Sequence, residues 1–103
     1  MYAFEQDVPI NAAIHAHIMD ALGAEPPHGL LAHIAIERAD GHLSYLDLWQ
    51  TKADCDSFTD QRLHPVVGAA LHDAGVHPDG EPPRREVTVV DTWGAGFPRR
   101  ATV

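Results

Sequence analysis

Basic residues are scarce in this chain. Seven Lys and Arg stand against fifteen Asp and Glu, a formal net charge of −8. A surface of that sign repels phosphate backbones and anionic membranes, so neither nucleic acid nor membrane is expected as a partner. The basic pairs Arg84-Arg85 and Arg99-Arg100 are too short for a nucleic-acid footprint. Cysteine is nearly absent: Cys55 stands alone, which excludes an intrachain disulfide and fits a reducing compartment. No apolar run approaches the ~20 residues of a membrane-spanning helix. The start MYAFEQDVP has neither a basic nor an apolar leader segment, so the expectation is a soluble, cytoplasmic protein. Apolar residues make up 45% of the 103, enough for one globular domain. Folding alone would bury roughly 65% of the surface of so short a chain. Such a core is thin, and a subunit contact would strengthen it.

The chain divides into alternating strand and helix signals. Residues 2–6 alternate aromatic with small or polar side chains, a short strand. Asp7 and Pro9 read as a helix entry, and Ile10, Ile14, Ile18 and Leu22 recur at helical spacing until Gly23. Pro26-Pro27 belongs to a connector. Residues 30–38 and 43–50 read as two strands joined by a hairpin at Ala39-Asp40-Gly41. Thr51 caps a second helix over residues 52–63, which Pro65 kinks or restarts and Gly75 ends. Residues 86–93 form the last strand. The domain therefore spans residues 1–93, with a C-terminal tail over 94–103. The order β-α-β-β-α-β is the α+β, ferredoxin-like pattern. It makes a four-stranded antiparallel sheet with two helices on one face.

Loop length in the hairpin decides which side chains share a face. A two-residue turn would mix Leu46 and Leu48 with His33 and Glu37. A three-residue loop with Gly41 left-handed pairs Arg38 with His42 and gathers Leu30, Ala32, Ile34 and Ile36 with Leu46 and Leu48. That wholly apolar face is expected to carry the helices. The opposite face then holds Leu31, His33, Ala35 and Glu37 beside Tyr45, Asp47 and Trp49, with His33 directly across from Asp47. The last strand can add Asp91 and Trp93 to this second face. Aromatic walls with a few ionisable groups suit a small-molecule pocket.

The segments PPHGLLAHIA, Asp40-Gly41 and LDLWQTKADCDSFTDQRLHP resemble the dimeric α/β-barrel proteins of the antibiotic-biosynthesis-monooxygenase-like type. The resemblance lies in a Gly-x-x-x-His strand, a hairpin, an Asp-x-Trp strand and a helix with an internal Phe58. Leu63-His64-Pro65 at the kink completes it, and it covers most of residues 1–93. It implies a homodimer whose two sheets face each other, with a cavity in each subunit. Members include cofactor-independent oxygenases of polyketide quinones, haem-degrading enzymes and isomerases. The Asn, Trp and His set of the haem-degrading branch has no counterpart that can be placed here, which disfavours that branch.

His33 and Asp47 are the candidate catalytic pair. A carboxylate beside an imidazole fixes its tautomer and raises its basicity, as a general base requires. The same pair could instead be a satisfied hydrogen bond that stiffens the sheet. Tyr45 and Trp49 could stack on a flat aromatic ligand, with Leu31, Ala35 and Trp93 completing the substrate-binding walls; they could also simply pack a dimer contact. Glu37 reads as solvated. No metal is expected: His15 and His17 point to different sides of a helix, His72 and His77 straddle a helix end, and no two histidines stand four apart. The histidines outside the pair read mostly as surface residues. Cys55, flanked by Asp54 and Asp56, reads as a small core residue with no thiolate role. No nucleophile elbow, phosphate loop, flavin or haem motif is visible, and the expectation is no cofactor. Two functions fit: a small cofactor-independent monooxygenase, cyclase or isomerase of secondary metabolism acting on an aromatic or polyketide-like metabolite, or a non-catalytic protein that binds such a metabolite in the same cavity.

Overall fold

A computed structural model describes residues 1–78 and 80–94. Strand β1 (Tyr2–Val8) leads to helix α1 (Ala12–Leu22), then to β2 (Leu30–Glu37) and β3 (Leu43–Trp49). Helix α2 (Lys52–Phe58) continues through a π-helical turn (Thr59–Leu63) into α3 (His64–Asp73), and β4 (Arg84–Val87) follows. The sheet order is β2-β3-β1-β4, antiparallel at every pairing. The chain is thus an α+β protein with a four-stranded antiparallel sheet and its helical arms on one face, compatible with a ferredoxin-like fold. Among the described residues, no helix is long and apolar enough to cross a membrane.

Local chemistry explains most boundaries. β1 runs through Asp7, which is no cap but a strand residue accepting a hydrogen bond from Ser44 Oγ at 2.7 Å. Asn11 caps α1 instead, its Oδ1 accepting from Ile14 N–H at 2.9 Å. Thr51 caps α2 as its position suggested, accepting from Asp54 N–H at 3.1 Å. Pro65 lacks the N–H that an α-helix would offer to the preceding turn, and the helix widens just before it. There the His64 N–H reaches five residues back to the Thr59 carbonyl. Gly29 sits at φ +83°, and a Cβ there would lie 2.3 Å from Asp54 Oδ2. Only glycine lets the β2 entry pass this close to the first turn of α2.

The hairpin adopts the three-residue loop. Arg38 N–H donates to His42 O at 2.8 Å, Gly41 lies at φ +85°, and His33 pairs with Asp47. The two faces, however, are assigned in reverse of the sequence expectation. The helices pack on the mixed face: Leu43 and Trp49 are 3% and 1% exposed, and Leu43 joins Ile10, Ile18 and Ala70 in the main core. The apolar face is the open one, with Ile34 43% and Ile36 52% exposed. Sorting by hydrophobicity alone misassigned the faces because a helix layer can enclose polar groups that satisfy one another. A bulge between Leu30 and Ala32 turns Leu30 to the helix side, where it packs against the cluster of Phe4, Trp49 and Cys55.

The last strand is shorter and earlier than residues 86–93. Pro82-Pro83 cannot donate to a ladder, so pairing starts at Arg84. It ends at Val87 opposite Ala3, where β1 is nearly exhausted. Asp91 and Trp93 consequently leave the His33 side. With Val89 and Thr92 they border a hollow on the open face beside Ile34, Leu46 and Leu48, and Trp93 is 84% exposed. Of the tail over 94–103, all but Gly94 lies outside the described residues.

Candidate functional site

Between the sheet and the helices lies a cavity of about 750 Å³, walled mainly by apolar side chains. Strand pairing places its polar groups. His33 on β2 and Asp47 on β3 are cross-strand partners, and Trp49 lies two residues further along β3 on the same side. His33 Nδ1 donates to Asp47 Oδ1 at 2.6 Å, and Trp49 Nε1 donates to Asp47 Oδ2 at 3.2 Å. The carboxylate therefore holds one donor on each oxygen, which fixes the ring of His33 and leaves its hydrogen-free nitrogen as Nε2. Nε2 is buried and has no hydrogen-bond partner among the described residues. An unmet polar atom of this kind costs about 1–3 kcal/mol, so its retention marks a functional candidate.

His15 on α1 completes the group. Its ring stacks on that of His33 with centroids 5.6 Å apart and planes within 19°. Its Nδ1 is 2.8 Å from the Tyr45 hydroxyl, and Tyr45 in turn meets the His33 ring edge-on at 4.6 Å. Burial lowers the pKa of His15 and favours a neutral ring, and the charge that His33 carries when protonated adds to that effect. Burial and the Asp47 charge push the Tyr45 phenol up to about 12, so it keeps its proton. A phenol is the stronger donor and an imidazole nitrogen the stronger acceptor, so Tyr45 O–H donates to His15 Nδ1 and the His15 hydrogen resides on Nε2.

The far end of the cavity is built on the helical arm and β4. Cys55 is 1% exposed, and burial pushes its thiol up, outweighing the nearby Arg84 guanidinium that pulls the other way. The adjacent Asp56 contributes to the same direction but only as a minor cause. Arg84 donates to Thr59 Oγ1 at 3.1 Å and to Glu81 at 3.4 Å while lying 4.6 Å over the Phe4 ring. These contacts tie β4 to the π-helical turn.

The structure brings together His33, Asp47, Tyr45, Trp49 and Leu31, all of which line the cavity. It does not bring Ala35, which is exposed one cross-strand step from Tyr45, nor Trp93, which borders the hollow on the opposite face. Several cavity residues escaped the sequence reading, His15 and Arg84 among them. His15 had a usable signal, since it precedes Ile18 by three and Leu22 by seven and so flanks the buried stripe of α1. Arg84 had none, because the strand that aims it was placed two residues too late. Among the described residues, no three His, Cys, Asp or Glu side chains gather in a metal-holding arrangement. No protein-family model matches the chain, and no curated protein matches it significantly.

Proposed function

We propose that this is a small enzyme of the dimeric α/β-barrel, ferredoxin-like type, resembling antibiotic-biosynthesis monooxygenases, that acts on an aromatic or polyketide-like metabolite without a bound cofactor. The observation that carries the proposal is the His33–Asp47 pair at 2.6 Å, set in the wall of a large apolar cavity with His33 Nε2 unpartnered. His33 is the general base. Asp47 orients it and stabilises the imidazolium that forms, and the apolar surroundings keep water from competing for the proton. Trp49 is positioned through Asp47, while Tyr45 and Leu31 contribute to the substrate walls. A phenolate or enolate formed at Nε2 can isomerise, cyclise or react with dioxygen, so the reading spans monooxygenase, cyclase and isomerase chemistry.

The homodimer belongs to the same proposal. Ile34 and Ile36, both exposed, with the half-buried Leu46 beside them, form an apolar patch on the open face, which a second sheet would cover. The cavity lies on the other face, so each subunit holds a complete site.

A second reading, a binding protein without chemistry, draws on the burial of Nε2, which a substrate could reach only after a side-chain movement. Native mass spectrometry of the protein purified from its own host, followed by identification of any released small molecule, separates the two. The expected result is a dimer carrying a stoichiometric aromatic compound that the wild type converts and His33→Ala binds unchanged. A ligand bound but unaltered by wild type and variant alike would favour the binding protein, and a clean monomer would remove the dimer.

A further inference from the structure

The proposed reading leaves His15 without a task, and its surroundings supply one. It lines the same cavity as His33, from the opposite layer of the fold. Tyr45 occupies its Nδ1, so the hydrogen it can offer to another molecule is on Nε2. The site thus holds two imidazoles in complementary states. One is a bare nitrogen backed by a carboxylate, and the other is an N–H backed by a phenol.

We infer that His15 is the electrophilic partner of His33, and that the substrate is a carbonyl compound with an acidic C–H next to its C=O. The ring centroids are 5.6 Å apart, so once a side-chain movement uncovers His33 Nε2, one nitrogen of each ring can address neighbouring atoms of a single carbonyl group. His33 Nε2 removes the α-proton. The C–H electron pair becomes the C=C bond, and the C=O π pair moves onto oxygen. His15 Nε2–H donates a hydrogen bond to that oxygen as its charge grows. The proton held by His33 then returns to the same carbon or to a conjugated one, so no electron or proton is lost and no oxidant is needed. A neutral imidazole is the right donor here, since it polarises a carbonyl without surrendering its proton outright. Tyr45 is a positioning residue, fixing the tautomer of His15. This inference rests on the proposed active site and narrows its chemistry to enolisation, the common first step of isomerisation and aldol cyclisation.

The test is hydrogen–deuterium exchange at C1 of 2-tetralone, a bicyclic aromatic ketone, followed by NMR in D2O with the intact protein. The wild type is expected to accelerate exchange and His33→Ala to abolish it. His15→Phe, which keeps a ring against His33 but removes the donor, should slow exchange about 100-fold. His15→Gln restores an N–H and should recover part of that loss, while Tyr45→Phe should give an intermediate defect. Melting curves on each variant separate misfolding from lost chemistry. Exchange lost in His33→Ala but intact in His15→Phe overturns the role of His15 and leaves the base standing. Exchange that survives His33→Ala and falls in His15→Phe overturns the assignment of the base. Failure of the wild type to accelerate exchange overturns the inference itself.

Discussion

Asp47 accepts two hydrogen bonds inside the protein, from His33 and from Trp49, and this double duty makes it the most exacting residue of the site. Asp47→Ala would strand both donors, at about 1–3 kcal/mol for each buried group left unpaired. Urea unfolding should show that loss, whereas His33→Ala, which removes the orphan Nε2 along with one donor, should cost less. The two variants should therefore differ in stability while both lack turnover; equal destabilisation would mean that Trp49 gains nothing from Asp47. His15 adds a pH dependence whose sign follows from burial. Its folded pKa is lowered, so between that value and the unfolded 6.5 the unfolded chain holds the extra proton. The stabilisation is present above pH ~6.5 and is lost as pH falls. Thermal melts from pH 7.5 to 5 should show a steeper decline for the wild type than for His15→Phe. The His33–Asp47 contact is legible in the sequence, because loop length and strand periodicity fix cross-strand neighbours. The role of His15 is not, because contacts between a helix and a sheet depend on how α1 is rotated, and eight histidines dilute any one of them.

At the scale of elements, the sequence is most readable where backbone chemistry is local. Thr51, Gly41, Gly75 and Pro65 mark a cap, a turn, a helix end and a helical distortion through their own φ preferences or hydrogen-bonding groups. β4 was harder because its limits are set by its partner: β1 supplies pairing from Ala3 to Gln6 and no further. The faces of the sheet were read in reverse for a related reason. Periodicity reports which residues share a face but not what covers it. Gly29 gives an element-scale test, since it combines left-handed backbone with close approach to Asp54. Gly29→Ala should destabilise by about 1–3 kcal/mol through strained φ and displacement of the Asp54 side chain. Adding Asp54→Gly removes all three contacting side-chain atoms, the Cβ at 2.7 Å included, so against Asp54→Gly alone, chemical denaturation of the double variant should show part of the loss recovered. A fully additive pair would place the whole cost in the backbone.

For the whole molecule, the separation of cavity and open face makes assembly and chemistry independently testable. The open face presents Ile34 and Ile36 with the half-buried Leu46 beside them, and its acids on β1 are already matched. Arg85 lies 3.4 Å from Glu5 and 3.6 Å from Asp7, and Arg38 lies 3.5 Å from Asp7. These pairings lower the local charge of a subunit that carries −8 overall, so a second sheet can approach without the full repulsion of the net charge. Placing an unpaired carboxylate in the patch should reverse that. Ile34→Glu together with Ile36→Glu would put two charges per subunit into the contact, where burial without a partner costs several kcal/mol. Both side chains are substantially exposed in a single subunit, so the substitutions should leave the isolated fold largely intact. Size-exclusion chromatography with light scattering should find the wild type dimeric and the double variant monomeric. The monomer should still bind the wild-type ligand, since His33, Asp47 and the cavity walls all come from one chain. Loss of binding with retention of fold would instead make the second subunit a contributor to the site. A wild type that runs as a monomer would mean that the open face has some other cover, while the chemistry assigned to the enclosed face would stand or fall on its own assays.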